Sequence, residues 1–398
     1  MMQSRAINYI STLMRNIRQS NRYVTLPRKI VLICWQSAWG PFITYNNMQK
    51  ALQARFENVH LLVLSVSKTF GIPKCKRLRS VSTILFPRLL LPILLVPLTI
   101  YICSAYDVII TSDPLILGPL IAFFGKIFRK HTLFIVLGNY HAEFEKKLLS
   151  GQSSKLGRFM INKYKYAEKI LFSYVRTIVL ADSRYTFGLH TYRIPKVVMW
   201  PDFGLVDVEK FKPLKHLKHE IRGRLGLDQH AIVLLFIGRL SVWNGFDVAL
   251  KVHNKFSQLV KSELLIIGSG PLKDKLNKYS NVVCLDYVNH NDLPEVINAC
   301  DIAIMPLREP QYGIGNTTLE CLACGIPIIA TDVGMKRLVV KDHITGYIAN
   351  STQEMVQILF QLSENRSMID EMGKNARQLV EERFSFRRFA EKMETILR

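Results

Sequence analysis

The sequence predicts an α/β protein built from two Rossmann-like, doubly wound domains. Its 398 residues exceed what a single hydrophobic core usually holds. Short continuous apolar runs alternate with helical segments, as they do in buried parallel sheets. The alternation pauses at a stretch rich in proline and charge near residues 199–214 and then begins again. We therefore expect one sheet on each side of this linker, with ligands at the carboxyl ends of the strands.

The first domain begins with the apolar run at residues 30–35. Further strand-like runs follow at 61–66, 107–111, 132–138 and 177–182. Helices are expected between them, at 45–56, 115–128 and 143–174. This order predicts a parallel sheet with helices on both faces.

The second domain repeats the pattern. Its strand-like runs are 231–238, 264–268, 282–288, 301–306 and 327–331. Its helices are expected at 246–259, 293–299 and 317–324. Because parallel strands end at the same edge of a sheet, the loops that follow these runs should lie close together.

The net charge of +22 is concentrated in one half of the chain. Residues 1–200 carry 28 Lys and Arg against 7 Asp and Glu, a net of +21, whereas residues 201–398 have a net of +1. Such an excess predicts an anionic partner, which could be nucleic acid, a lipid surface or a phosphorylated substrate. The basic residues are interleaved with apolar runs, which favours a membrane or a phosphate-bearing acceptor and disfavours nucleic acid.

The amino terminus, residues 1–29, has no acidic residue and lacks the apolar core of a secretory signal. Apolar residues recur at helical spacing, opposite basic ones. The apolar set is Ile7, Ile10, Leu13, Met14 and Ile17, and the basic set is Arg5, Arg15, Arg18 and Arg22. The pattern fits a helix lying on an anionic bilayer, a transit peptide, or a helix packed on its own domain.

A second membrane candidate lies within residues 84–103. Residues 89–103 carry no charge and follow a basic cluster made of Lys74, Lys76, Arg77 and Arg79. The run is shorter than the ~20 residues of a spanning helix, and its prolines should disrupt helical hydrogen bonds. We expect a segment that enters the membrane interface beside the cluster, with a buried helix as the alternative.

The seven cysteines are odd in number and mostly lie in apolar contexts, which suits a reducing compartment. Cys321 and Cys324 form a Cys-x-x-Cys pair without a second pair or nearby histidines. We therefore expect two small packed side chains and no metal site.

A candidate phosphate-binding element opens the second domain. Gly238 and Arg239 directly follow a strand-like run, and Gly245 lies where the next helix begins. An Arg at a strand end can hold a diphosphate through charge-assisted hydrogen bonds. Arg is also common there in structural ion pairs, so this element alone does not establish a function.

A second element is a glycine-bearing loop that runs into a helix. It comprises Tyr312, Gly313, Ile314, Gly315, Asn316 and Thr317, and Glu320 follows one turn later. The first helical turn offers N–H groups without intrahelical partners, which suit a phosphate. Glu320 is placed to accept hydrogen bonds from ribose hydroxyls, although an acid in the first turns of a helix is also favoured by the helix dipole.

These motifs resemble those of the retaining GT-B glycosyltransferases (family 4-like, group 1), which include mannosyl-, glucosyl- and N-acetylglucosaminyltransferases. The resemblance covers most of residues 30–398. Its five ordered segments are 236–240, 264–276, 301–306, 319–334 and 345–349. It implies two Rossmann-like domains facing across a cleft, the first binding the acceptor and the second a UDP- or GDP-sugar. No cofactor or metal is implied.

The resemblance also implies roles for single residues. Arg239 would contact the donor diphosphate, and Glu320 would contact the ribose. The 313–316 loop would contact the sugar and phosphates, while Gly268 and Gly270 would line the nucleotide side. Two departures stand out: Asn244 replaces the usual Lys, and Tyr312 replaces the usual first glutamate. Tyr312 can hydrogen-bond but carries no charge.

Three residues of the first domain complete the implied site. Gly40, in the loop after the first strand, would approach the donor phosphate. His141 would lie near the reacting sugar, although a lone His after a strand is often structural. Arg184, after the run at 177–182, would meet an acceptor phosphate, and the basic cluster would contact acceptor or membrane.

We thus expect a glycosyltransferase that acts on a lipid-linked or membrane acceptor and is peripheral on the cytosolic face of a membrane. The alternative is a catalytically degenerate subunit that serves as a scaffold in a glycan assembly complex. The expected domains are 1–29, 30–198 and 199–382, followed by a terminal helix, 383–398, that crosses back to the first domain.

Overall fold

A computed structural model describes ten segments of the chain. They are residues 29–35, 39–56, 58–65, 81–85, 91–114, 117–136, 155–181, 194–279, 281–309 and 313–397. Their contacts divide the chain into two compact units. The first unit contains the described residues up to Trp200 together with those from Met393 onward, and the second contains Pro201–Lys392.

The first unit is built on a seven-stranded parallel sheet. Its strands are β1 (Ile30–Trp35), β2 (Val59–Ser65), β3 (Val81–Leu85), β4 (Val108–Thr111), β5 (His131–Val136), β6 (Thr177–Leu180) and β7 (Lys196–Met199). Its helices are α1 (Trp39–Gln53), α2 (Leu91–Ala105), α3 (Leu117–Ile127) and α4 (Lys155–Tyr174). The strand order β3-β2-β1-β4-β5-β6-β7 confirms a doubly wound sheet.

The two strands at the edges of this sheet were not predicted. β3 pairs with β2, and β7 pairs with β6. β7 alternates between half-buried and exposed residues, so its sequence lacks the continuous apolar run of a central parallel strand. Part of the stretch expected to be linker therefore belongs to the first sheet.

Helix α2 (Leu91–Ala105) contains the described part of the apolar run predicted at residues 89–103, which corrects the expectation that Pro92 and Pro97 would disrupt a helix there. Pro92 lies in the first turn of α2, where a proline is tolerated, and Pro97 lies inside the helix on its exposed side. Leu95, Leu98 and Ile102 are buried in the first unit's core, as the alternative of a buried helix predicted. Within the described ranges, no helix combines the length and apolar composition that crossing a membrane requires.

The second unit is built on a six-stranded parallel sheet. Its strands are β8 (Ile232–Ile237), β9 (Ser262–Ile267), β10 (Val282–Leu285), β11 (Ile302–Met305), β12 (Ile328–Ala330) and β13 (Gly346–Ile348). Its helices are α5 (Lys218–Leu225), α6 (Phe246–Phe256), α7 (Leu293–Asn298), α8 (Asn316–Ala323), α9 (Thr352–Glu364) and α10 (Arg366–Arg383). The order β10-β9-β8-β11-β12-β13 confirms the second Rossmann-like domain.

Helices cover both faces of this sheet, which explains the continuous apolar strands. In β8, Val233 and Leu235 pack into one core cluster, whereas Leu234 and Phe236 pack into the other. Because successive side chains of a strand point to opposite faces, a strand covered on both sides must be apolar throughout. This pattern made the sheet predictable from the sequence.

The chain ends in helix α11 (Phe386–Leu397), as expected. Near its start, the ring of Phe389 lies edge-on to Phe203, with 5.8 Å between the centroids. At its end, Lys196 Nζ donates to the Ile396 carbonyl at 2.7 Å, and the residues from Met393 onward group with the first unit.

Candidate functional site

Two strand ends of the second unit approach so closely that their backbones exclude side chains. Gly238 follows β8 and Gly268 follows β9, and Gly238 N–H donates to the Ile267 carbonyl at 3.0 Å. A Cβ on Gly268 would lie 2.0 Å from the Gly238 carbonyl oxygen. Gly268 also has φ 143°, so glycine is needed for both space and conformation.

The loops beyond these glycines are joined through Leu240. Leu240 N–H donates to the Ser269 carbonyl at 3.0 Å, and the Leu240 carbonyl accepts from Leu272 N–H at 3.1 Å. A Cβ on Gly270 would lie 2.6 Å from the Leu240 oxygen. The glycines predicted to line a nucleotide therefore also serve the packing of the sheet edge.

Arg239 is exposed at the carboxyl end of β8. Its guanidinium makes no hydrogen bond or ion pair to any residue of the described ranges. Its carbonyl accepts from the side-chain amide of Asn244 at 2.9 Å. Asn244, which stands where a second cation was expected, thus closes the loop and adds no charge. Gly245 then begins α6 at φ 69°, against the Pro306 carbonyl.

The glycine-bearing loop leads directly into α8. Gly313 and Gly315 have φ of 64° and 90°, which favour glycine, and the helix begins at Asn316. The amides at the start of a helix have no intrahelical acceptor and can bind an anion. Ile314 was expected to face the ligand, but its side chain is 1% exposed and packs into the core, so only its backbone can contribute.

Lys336 lies beneath this loop, and no sequence pattern indicated it. The side chain is 3% exposed, and its Nζ donates to the Ile314 carbonyl at 2.6 Å and to the Thr318 hydroxyl. The Thr318 hydroxyl donates to the same carbonyl at 3.0 Å. Burial lowers the pKa of Lys336 to about 8.

Glu320, one turn into α8, is 5% exposed and part of a chain of three polar side chains. His290 Nε2 lies 2.9 Å from Glu320 Oε1, and Lys210 Nζ lies 2.8 Å from His290 Nδ1. Because an ammonium can only donate, His290 must accept at Nδ1 and donate from Nε2 to the carboxylate. The carboxylate is thereby fixed in orientation, and its second oxygen is not used by His290.

The thiols of Cys321 and Cys324 are buried in the core of the second unit. Burial raises the pKa of both thiols, so both remain protonated at neutral pH. They behave as the small packed side chains that the sequence predicted. The described residues contain no group of three His, Cys, Asp or Glu side chains that could hold a metal ion.

Several predicted site residues lie outside the described residues. They are His141, Arg184, Tyr312, Lys74, Lys76, Arg77 and Arg79, together with the amphipathic segment at residues 1–28. Gly40 is described, but it lies in the first turn of α1 and not in a loop, which corrects that expectation. Thr317 lies in the first turn of α8, next to Asn316, as predicted.

The arrangement at the edge of the second sheet combines an exposed cation, glycine-dependent backbone and the start of a helix. These features belong to one continuous part of the chain.

Residues 231–365 match the family of glycosyl transferases group 1. The match includes Arg239, the 313–316 loop, Glu320 and Lys336, and it supports the family resemblance that the sequence predicted for this domain.

Relatives with known names agree with this family. The chain is 26% identical over 176 residues to the alpha-D-kanosaminyltransferase of Streptomyces kanamyceticus, which covers 42% of this chain and 45% of that protein. The matches span less than half the length of this and the next relatives.

Solved structures show the same fold over nearly the whole chain. The Anabaena HepE protein in complex with UDP-glucose has a TM-score of 0.71 at 15% identity, covering 93% of this chain and 99% of that one. WaaG, a glycosyltransferase involved in lipopolysaccharide biosynthesis, has a TM-score of 0.65 at 15% identity, covering 92% and 99%. These neighbours have the GT-B fold, so the predicted fold class is confirmed at the level of two Rossmann-like domains.

Two residues of the site, His290 and Lys336, were missed by sequence reasoning. His290 contacts Glu320 across 30 positions, and Lys336 contacts Ile314 across 22. Neither lies in a glycine-rich loop or at the end of a strand-like run. Residues 333–340 mix buried, half-buried and exposed positions, so no sequence signal marked Lys336, and it stands out only because Lys is rarely buried without a partner.

Proposed function

We propose that this chain is a retaining glycosyltransferase that transfers a sugar from a nucleotide-sugar donor to a lipid-linked acceptor at an anionic membrane surface. The second unit binds the donor, and the first unit contacts the membrane and receives the acceptor. The neighbour that binds UDP-glucose makes UDP-sugars the first donors to test, with GDP-sugars next.

The donor assignment depends on one observation, the edge of the second sheet. Gly238 and Gly268 let two backbones meet there, and Arg239 and the start of α8 bring positive potential to the same edge. Ligands of parallel α/β sheets bind at the carboxyl ends of the strands. A diphosphate is the part of a nucleotide sugar that such an edge fits best.

Positioning and charge stabilisation are the tasks of the site in the proposed reaction. As the bond between the sugar and the diphosphate breaks, negative charge grows on the leaving phosphate. Arg239 and the first amides of α8 stabilise that charge, and the amides are already oriented by the helix before the reaction begins. The leaving phosphate can then accept the proton of the acceptor hydroxyl on the same face of the sugar, which preserves the configuration.

Glu320 orients the nucleotide in this proposal. One carboxylate oxygen accepts from His290, and the other is available to accept from a ribose hydroxyl. Because His290 is itself held by Lys210, the carboxylate does not have to be ordered when the donor binds. Such preorganisation lowers the entropic cost of binding.

The acceptor assignment depends on the outer surface of α2 and α3, two helices that pack against each other in the first unit. Large apolar side chains on this surface are exposed to water between 37% and 58%. They are Val96, Ile100, Phe123, Ile127 and Phe128, and they have the exposed cations Lys126 and Arg129 beside them. Apolar groups flanked by cations bind anionic bilayers through partition and Coulomb attraction together. We call this set the α2–α3 surface.

A transfer assay tests the proposal. The purified chain is incubated with radiolabelled UDP- or GDP-sugars and anionic membrane lipid extract, and the lipids are then separated and counted. The proposal predicts a labelled lipid whose anomeric configuration matches that of the donor. Transfer to water-soluble acceptors alone would refute the lipid assignment, and inverted configuration would refute the retaining mechanism.

Two matched variants show whether the labelled lipid comes from this chain or from a contaminating transferase. Arg239→Ala removes the exposed guanidinium without touching the core, and at low donor concentration it should reduce labelling about 100-fold. Arg224→Ala removes an exposed guanidinium that pairs with Glu295 on α5 and α7, and it should label as the wild type does. Equal labelling by wild type and Arg239→Ala would refute the donor site.

A further inference from the structure

We propose that Lys336 is a positioning residue of the donor site: its buried ammonium turns an amide of the 313–316 loop toward the donor diphosphate and supplies the positive charge that Asn244 lacks. This inference rests on the proposed function, because it requires a diphosphate beside this loop. It adds a residue that neither the motifs nor the family resemblance indicated.

The direction of one peptide group supports the positioning role. Lys336 Nζ lies 2.6 Å from the Ile314 carbonyl oxygen and draws it into the core. In a trans peptide the C=O and N–H bonds point in opposite directions. The amide of Gly315, the residue just before α8, therefore points away from Lys336. Without the ammonium, the carbonyl would keep only the Thr318 hydroxyl as its donor.

The charge of Lys336 is not neutralised by the protein around it. In the described part of the chain, the titratable group that acts on it is the thiol of Cys321 on α8. Burial raises the pKa of that thiol well above its usual value, so it carries no charge at neutral pH. Glu320, on the same helix, hydrogen-bonds His290 instead. The ammonium and the positive end of the α8 dipole thus reinforce each other.

The Lys336 ammonium and the positive end of the α8 dipole repel each other. This repulsion destabilises the folded chain unless an anion binds beside them. A bound diphosphate removes this destabilisation. The free energy recovered in this way adds to the affinity of the site for the diphosphate. The exposed Arg239 provides one cation for the diphosphate, and Asn244 is occupied with closing its own loop. Lys336 is the cation that lies against the other phosphate-binding element.

A dependence of nucleotide affinity on pH follows. Lys336 loses its proton near pH 8, where the terminal phosphate, with a second pKa of about 6, is already fully ionised. Burial raises the pKa of the Cys321 thiol well above its usual value, so this thiol stays protonated between about pH 7 and 9. Affinity for a nucleoside diphosphate should therefore fall as the pH rises through 8, and binding near pH 8 should take up protons.

Calorimetric titration of the full chain with UDP and GDP tests this inference. We expect affinity to fall about tenfold between about pH 7 and 9.5, which corresponds to loss of one charged interaction. At about pH 8, two buffers with different ionisation enthalpies should report proton uptake. Uridine, which has no phosphate, should show no proton uptake at about pH 8, and its affinity at higher pH measures the effect of ionisation of the base alone. An affinity that is flat across this range would overturn the proposal.

Lys336→Met keeps the length of the side chain and removes the charge. It should bind the diphosphate about tenfold more weakly at pH 7, without the pH dependence, and unfold at the same temperature as the wild type or a higher one. Lys341→Met, five residues later and exposed, is the control and should keep the wild-type profile. A residue that only held the fold together would lower the unfolding temperature and leave the pH profile flat.

The outcomes separate the two proposals. If neither UDP nor GDP binds at any pH, the proposed function itself is refuted. If both variants bind as the wild type does, with one common pH profile, the donor site stands and the role of Lys336 is refuted. Should Lys336→Met fail to fold, the pH profile and proton uptake of the wild type decide alone.

Discussion

The two units use charge in opposite ways. In the second unit the numbers of cations and carboxylates are nearly equal. Asp301, for example, pairs with both Lys218 at 2.6 Å and Arg222 at 2.7 Å. In residues 1–200 there are 28 basic side chains for 7 acidic ones, so most of the cations cannot be paired. Where charge is balanced, an exposed Arg239 and a buried Lys336 create a local positive site. Where it is not, cations are in excess over the whole of residues 1–200.

Hydrophobic exposure differs in the same direction. The α2–α3 surface exposes five large apolar side chains on two adjacent helices. The glycine loops of the second unit, by contrast, present backbone and short side chains beside Arg239. The difference fits the proposal that one unit binds a small charged ligand and the other an extended anionic surface. The following predictions test this division, beginning with the largest effect.

Arg239→Ala should lower the rate of sugar transfer at low donor concentration about 100-fold, because a charge-assisted bond to the diphosphate is worth roughly 1.5–3 kcal/mol. Its affinity for anionic vesicles should not change. Arg224→Ala, the control, should transfer at the wild-type rate. A loss of vesicle binding in Arg239→Ala would mean that the two units do not divide the tasks.

Replacing Phe123 and Ile127 together with Ser should weaken binding to anionic vesicles about 30-fold, since each side chain loses about 1 kcal/mol of partition energy and the pair about 2 kcal/mol. Cosedimentation with vesicles measures it, and higher salt should weaken the wild type further. Leu259→Ser in the second unit is matched in exposure, 59% against 58% for Ile127. Equal losses in the two would refute a specific α2–α3 surface.

Glu320 and His290 should act as one unit in donor binding. Glu320→Ala should weaken nucleotide-sugar binding about tenfold, and His290→Ala about threefold, because it only releases the carboxylate. The double variant should bind like Glu320→Ala alone. His219→Ala, at an exposed histidine, should bind normally. If the loss of affinity in the double variant equals the product of the two single losses, His290 contacts the donor independently of Glu320.

The smallest effect concerns one buried histidine in each unit. Burial lowers the pKa of both His60 and His253 from 6.5. The unfolded chain then binds more protons below pH 6.5, so stability falls as the pH falls below that value. His60 bonds the Tyr106 hydroxyl at 2.8 Å, whereas neither nitrogen of His253 has a well-aligned hydrogen-bond partner among the described residues, and the Ser262 backbone only partly offsets the lowering of its pKa.

His60→Leu and His253→Leu should therefore change the temperature of thermal unfolding differently. At neutral pH, His60→Leu should lower stability by about 1 kcal/mol, because it leaves the Tyr106 hydroxyl unpaired. His253→Leu should be neutral or stabilising and should reduce the loss of stability in acid. A large destabilisation by His253→Leu would indicate that His253 has a polar partner.

The sheets were largely predictable from the sequence, and the reason is physical. A strand such as β8, covered by helices on both faces, must be apolar throughout, so it stands out. The edge strand β7 has one neighbour and alternating exposure, and it was missed. The prolines of α2 misled the prediction, because the exposed position of Pro97 depends on packing and not on sequence spacing.

The site was predictable only where local order reveals it. Arg239 follows a strand, and the 313–316 loop precedes a helix, so sequence position alone identifies both. The contact between Lys336 and Ile314 depends on how β11, β12 and the segments between them pack, and no local pattern encodes it. Asn244 could be recognised as a lost cation, but its bond to the Arg239 carbonyl required coordinates.

Hydrogen exchange of the full chain, with each ligand added separately, tests the division of tasks most directly. A nucleotide sugar that binds should slow amide exchange in residues 238–245 and 313–323, and anionic vesicles should slow it in residues 91–105 and 117–128. Protection of the first pair of segments by vesicles, or no protection there by any UDP- or GDP-sugar, would contradict the account.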